Sequence, residues 1–151
     1  MILENIQNAI KDAMRAKDKD ALQTLRMLSA AIKQIKVDKK LSDADLTDEL
    51  VINELVRQNK QRLDAAKQYR DNGRDDLALK EEAEIAIITS FLPKQLSKEE
   101  VLQIIQDTFN KSGLSREIAS LGKLMPSLKS QLNGRADMSE VSSYLRTFLS
   151  S

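Results

Sequence analysis

Cysteine and histidine are both absent from this 151-residue chain. Without cysteine there are no disulfides, thiolate nucleophiles or thiolate metal sites. Without histidine, Ser-His-Asp and Cys-His catalysis are excluded, and so are the usual zinc ligand sets. Tryptophan is missing, and only three Phe, two Tyr, four Gly and two Pro are present. A chain so poor in aromatics and glycine must pack Leu, Ile, Ala and Met helix against helix. No apolar run approaches the roughly 18 residues that span a bilayer. At the start of the sequence, Glu4 and Asn5 interrupt what a signal peptide would need as an apolar core, so a cytoplasmic location is expected. No catalytic constellation, metal site or cofactor is assigned.

Charge of one sign is also lacking. The net charge is +1, and it is uneven: 16 Lys and Arg against 17 Asp and Glu through Pro93, then 8 against 6 from Lys94 onward. Neither part has the basic excess of a dedicated nucleic-acid binder, and DNA and membrane are not expected partners. Any basic surface must come from local clustering.

What is present is helical periodicity, with no strand signal. Ile2, Ile6, Ile10 and Ala13 form one stripe up to about Ala16, and Leu22, Leu25, Leu28, Ile32 and Ile35 form a second over 21–37. A long third helix is predicted from about Asp43 to Asn72, stopped by Gly73. A fourth runs from Leu77 to about Ser90, and the short turn makes the pair an antiparallel hairpin. Pro93 ends that part, and Ser97 with Glu100 three residues on has the spacing of a capping box for a fifth helix. A sixth is predicted from Ser115 to Asn133, kinked or split near Pro126. Asp137, with Glu140 at the capping-box position, opens the seventh. The expected fold is all-α: an N-terminal helical domain (1–92) with a long hairpin, and a C-terminal three-helix domain (93–151).

Three groups of residues carry a resemblance. Lys60-Gln61-Arg62 is followed by Asp64-Ala65-Ala66 and Gln68-Tyr69. Gly73-Arg74-Asp75-Asp76-Leu77-Ala78 leads through Lys80-Glu81 and Glu84 to the stretch Phe91–Ser97. Leu121-Gly122-Lys123-Leu124-Met125 precedes Gly134-Arg135-Ala136-Asp137. Together they resemble the YqeY-like (GatB/YqeY) family of small bacterial proteins across essentially the whole chain. The resemblance implies a C-terminal domain similar to the tail of the B subunit of the glutamine-dependent aspartyl/glutamyl-tRNA amidotransferase. In that enzyme the tail helps hold tRNA, while the chemistry lies in parts this chain does not match.

The function so implied is a non-catalytic accessory protein that binds tRNA or another folded RNA. Its candidate contacts are Lys123, Lys129, Gly134, Arg135 and Arg146. A positive helix start at Gly134–Asp137 would favour phosphate. Against that, Gly134 is also a helix stop, and Asp137 occupies the same free N–H groups. Gly122 fits either close approach of RNA or close helix packing. The alternative is a protein–protein adaptor docking through the N-terminal helices. A third reading, a component of a glutamine-dependent carbon–nitrogen ligase, follows from the resemblance alone. The Lys60–Arg74 flank reads as a solvated face, Glu81, Glu82 and Glu84 as helix surface, and Met14, Met27, Met125 and Met138 as core or interface filler.

Overall fold

A computed structural model describes all 151 residues, and they form seven α-helices and no strand. The chain divides into two compact units, Met1–Leu92 and Pro93–Ser151.

In the first unit, α1 (Ile2–Ala16) and α2 (Lys19–Lys39) form one hairpin, and α3 (Asp48–Asp71) and α4 (Asp75–Thr89) form the other. Asp18 caps α2 by accepting from the Ala21 N–H at 3.2 Å. Met1 offers α1 no side-chain cap, and the Asp48 carboxylate accepts from the Ile2 N–H instead, at 3.1 Å. That acid lies in the first turn of α3, so it serves two positive helix ends at once. Lys17 and Lys40 end α1 and α2 in the left-handed conformation, at φ 56° and 54°. The 24 residues of α3 span about 36 Å. Its end is a Schellman motif: Gly73 at φ 73°, the Arg74 N–H to the Tyr69 carbonyl, the Gly73 N–H to that of Arg70.

The third helix starts later than the periodicity predicts. Asp43–Asp45 is a 3₁₀ turn closed by Ser42 and Asp45, and α3 begins only at Asp48. Leu46 lies between them, buried in the core. Thr47 then takes an extended conformation and caps α3 through its hydroxyl. The core of this unit joins Ile6, Leu28, Ile32, Leu46, Val51, Leu55 and Ile88, with Phe91 and Leu92 packed on it.

In the second unit, α5 (Lys98–Ser112), α6 (Leu121–Leu132) and α7 (Met138–Ser150) surround Val101, Ile105, Leu124, Leu128, Leu132, Val141, Leu145 and Leu149. The Ser97 hydroxyl accepts from the Glu100 N–H and the Glu100 carboxylate from the Ser97 N–H, each at 3.2 Å, closing the capping box. Those two Ser97 groups hold the Glu100 carboxyl below its usual range, with smaller help from Lys94 and Arg135. Asp137 caps α7 by accepting from the Ser139 N–H at 2.8 Å and from its hydroxyl at 2.6 Å, without Glu140.

The sixth helix departs furthest from expectation. It does not start at Ser115 or split at Pro126; α6 runs unbroken through Pro126 from Leu121. The break comes earlier, at a 3₁₀ turn over Ile118–Ser120, where the buried Ser120 donates its hydroxyl to the Ser115 carbonyl at 2.7 Å. Pro126 forfeits one bond, to the carbonyl of Gly122, and Gly122 is exposed, so water can satisfy that group. A Cβ on Gly122 would meet nothing within 4 Å, which removes the close-packing reading of this glycine. Met125 and Met138 pack on the core, but Met14 and Met27 are exposed.

Candidate functional site

The charges of the α3–α4 hairpin are largely turned inward. Arg62 lies between Glu84 at 3.0 Å and Glu81 at 3.5 Å, and all three side chains are largely buried. The guanidinium also donates to the Met27 sulfur of α2 at 3.1 Å. Burial pushes the Glu84 carboxyl above its usual range; Arg62 opposes that shift and Glu81 adds to it. Nearby, burial also acts to raise Glu54, but hydrogen bonds from Arg57 and Gln58 outweigh it, and the carboxyl ends below its usual range. Further out, Arg70 grips Glu82 at 2.7 Å and reaches Asp75 at 3.6 Å. Arg62, Glu81 and Glu84 are therefore not solvated surface, as the sequence suggests, but a buried charge triad within the hairpin. Lys60 with Asp64 and Lys67 with Asp71, each four residues apart on α3, form no ion pair.

The second unit holds unpaired cations beside two clefts. One cleft, about 470 Å³, opens between α5 and α6. Lys111 and Lys123 stand on its walls with the hydroxyls of Thr108, Ser112 and Ser127. Neither lysine has an ion-pair partner. Asp107 shares the cleft and accepts from Gln103 at 3.0 Å. Gln131 spans the cleft, donating to Thr108 at 3.0 Å and Ser127 at 3.2 Å. Ser112 donates its hydroxyl to the Phe109 carbonyl at 2.6 Å, so two ammonium groups beside the Thr108 and Ser127 hydroxyls are what the cleft offers a multiply charged oxyanion.

The other cleft, about 230 Å³, lies between the start of α5 and α7. Its apolar wall includes Leu96, Val101 and Val141, with Lys98, Arg135, Glu140 and Tyr144 around it. The Lys98 ammonium sits over the Tyr144 ring, 5.4 Å from its centre. Arg135 donates to the Gln131 carbonyl at 3.3 Å.

The five predicted contacts do not share one surface. Lys123 lines the α5–α6 cleft. Lys129, six residues on along α6, is exposed about 120° away around the helix axis. Arg135 lines the other cleft. Arg146 is exposed on α7, two residues and so about 160° around the axis from Tyr144. Gly134 is buried at φ 80°, and its carbonyl accepts from the Gln95 side chain at 2.6 Å. It therefore holds the α6–α7 turn and offers no backbone for close approach. Lys111 is the residue that sequence reasoning missed. It ends α5 beside Ser112-Gly113, and only the docking of α5 on α6 brings it to Lys123.

An all-α chain of two helical units, with largely buried charge in one and two charge-lined clefts in the other, is what the geometry defines. A model of the YqeY-like protein family matches residues 3–149, and the chain belongs to that family. Among the similar proteins is the altered inheritance of mitochondria protein 41, mitochondrial, of Pyrenophora tritici-repentis. It is 27% identical over 142 residues, covering 93% of this chain and 76% of that protein. The protein of the same name in Eremothecium gossypii is 34% identical over 93 residues, 60% of this chain and 48% of its own length. An uncharacterized protein of Schizosaccharomyces pombe is 34% identical over 92 residues, 61% and 72% respectively. No helix of this chain is long and apolar enough to cross a membrane.

Proposed function

We propose that this protein is a non-catalytic accessory protein whose C-terminal unit binds folded RNA, tRNA foremost, through phosphates seated in the α5–α6 cleft. The observation that carries the reading is the meeting of Lys111 and Lys123, both without a carboxylate partner, beside the Thr108 and Ser127 hydroxyls in one concavity. Lys129, Arg135 and Arg146 add positive field from other faces, and Gly134 has no contact role. The RNA is recognised by shape and charge, because no row of exposed aromatics offers a stacking platform. An adaptor role for the N-terminal hairpin has less support, since Arg62 and Arg70 are engaged within it. The family's likeness to an amidotransferase tail makes tRNA the first RNA to try. Cytoplasmic location is part of the same proposal; the word mitochondrial belongs to the names of the fungal relatives.

The test is tRNA binding by the full chain across a salt series. Each phosphate contact contributes roughly 0.7–0.9 to the slope of log K against log salt. Lys111→Glu/Lys123→Glu should weaken binding and flatten that slope by roughly 1.4–1.8. Lys129→Glu/Arg146→Glu should change it less. Absence of binding at low salt, or a slope indifferent to Lys111 and Lys123, defeats the proposal.

A further inference from the structure

The cleft between α5 and α7 combines groups that the α5–α6 cleft lacks. Leu96 and Ala136 give it an apolar rim over the buried Val101 and Val141, Tyr144 an aromatic ring, Lys98 and Arg135 two cations, and Glu140 an acceptor, with the α7 cap Asp137 beside them. These charges of opposite sign line one small concavity, yet Lys98, Arg135 and Glu140 form no ion pair with one another. The Lys98 ammonium rests on the Tyr144 ring and has no carboxylate partner. A ligand that engages all of them must carry an anion, a flat apolar body and a hydrogen-bond donor edge. A nucleotide has these three parts. A bare phosphate lacks the last two, and an aliphatic acid lacks the flat body.

We infer that this cleft holds one unpaired nucleotide. The base takes the ring face of Tyr144, flanked by the partly exposed Leu96 and Ala136. Lys98, on its flexible stem, then moves from the ring to the phosphate beside Arg135, and Glu140 accepts from an amino or imino group of the base. A ring face covered by a lysine ammonium is suited to such an exchange, because a base stacks there more strongly than an exposed cation does. The polymer to which this nucleotide belongs rests on the RNA reading above, whereas the cleft itself does not. An unpaired nucleotide here and duplex phosphates in the other cleft would together select a folded RNA with a free end or an extruded base.

The experiment is an NMR titration of the isotope-labelled full chain with AMP, GMP, CMP and UMP, and with inorganic phosphate as the comparison. Expected are saturable shifts at Leu96, Ala136 and Tyr144 with at least one nucleotide, at least tenfold tighter than with phosphate. Lys98→Glu, a surface change, should weaken that affinity at least fivefold. Glu140→Gln should alter the order of preference among the four bases. Tyr144→Leu, which keeps an apolar group against the core, should weaken binding as well. Equal response to phosphate alone, no saturation with any nucleotide, or affinity unchanged in Lys98→Glu would overturn the assignment. Nucleotide binding without tRNA binding would sustain this cleft and overturn the RNA reading. tRNA binding unaltered by Lys98→Glu and Tyr144→Leu, with no nucleotide binding, would do the reverse.

Discussion

Replacing Arg62 by leucine is expected to destabilise the first unit far more than replacing either of its carboxylate partners. The substitution leaves Glu81 and Glu84 facing one another without their ion-pair partner, their side chains only 20% and 18% exposed and Lys80 the remaining cation that acts on Glu84. Stranding a buried charge costs about 3–5 kcal/mol. The residual exposure of both carboxylates brings the expected loss to about 2–3 kcal/mol at pH 7. Glu84→Gln mimics the protonated acid that burial already favours, so it should lie within about 1 kcal/mol of the parent. The triad is itself imperfect, because Arg62 Nε and Glu81 Oε2 are buried without a hydrogen-bond partner. An all-apolar replacement of Arg62, Glu81 and Glu84 should therefore recover most of the loss. The pH dependence has a definite sign. In Arg62→Leu the folded-state Glu84 carboxyl, already raised by burial, loses the cation that opposes the shift and moves further above the unfolded value of about 4.3. Its penalty is full above the folded Glu84 pKa and fades as pH falls towards the unfolded one. Glu54 acts oppositely: its depressed pKa gives stability that is present above the unfolded value and lost as pH falls through the folded one. Urea unfolding followed by circular dichroism, with hydrogen exchange at the buried Ile88, measures each variant at pH 7 and pH 5. A loss below about 1 kcal/mol at pH 7, or an equal loss at both pH values, would refute the reasoning.

Lys40 ends α2 at φ 54°, where an L side chain costs about 1–2 kcal/mol, partly offset by glycine's freedom in the unfolded chain. Lys40→Gly should thus stabilise by about 0.5–1 kcal/mol, read as a raised thermal midpoint. Leu128 is fully buried in the three-helix core, and Leu128→Ala should cost the second unit about 2–5 kcal/mol in urea. Ser97→Ala removes the acceptor for the Glu100 N–H and should cost about 1 kcal/mol, seen as faster exchange in the first turn of α5.

Signals confined to a few neighbouring residues were legible in the sequence. Ser97 with Glu100, Gly73 after Asn72 and Asp137 before Met138 each satisfy free backbone groups locally, and each element ends where its cap lies. Lys17 and Lys40 were not legible as left-handed stops, since a lysine carries no such preference; the helices ended there for want of a better residue. Pro126 misled because proline was weighed as a breaker, whereas the orphaned Gly122 carbonyl faces solvent. Arg62 had a readable clue: Leu55, Asn59, Arg62 and Ala66 follow the spacing of one helix face, and Leu55 and Ala66 are buried. Its charge argued for solvent, and only the opposing Glu81 and Glu84 make burial tolerable. The candidate site was half legible. Lys123 was named, but its neighbour Lys111 is set by how α5 docks on α6, which no local pattern encodes.

The Asp48 carboxylate that caps α1 has a meaning for synthesis on the ribosome. Ile2 and its partner Asp48 are 46 residues apart. At about 5–20 residues per second, Ile2 leaves the tunnel roughly 2–9 s ahead of the group that completes its first turn. During that interval α1 can only pair with α2, and its apolar stripe around Ile6 waits for Val51 and Leu55. The cap of α1 can therefore be completed only after the start of α3 has emerged, and the core around Ile6 only after Ile88 of α4 has followed.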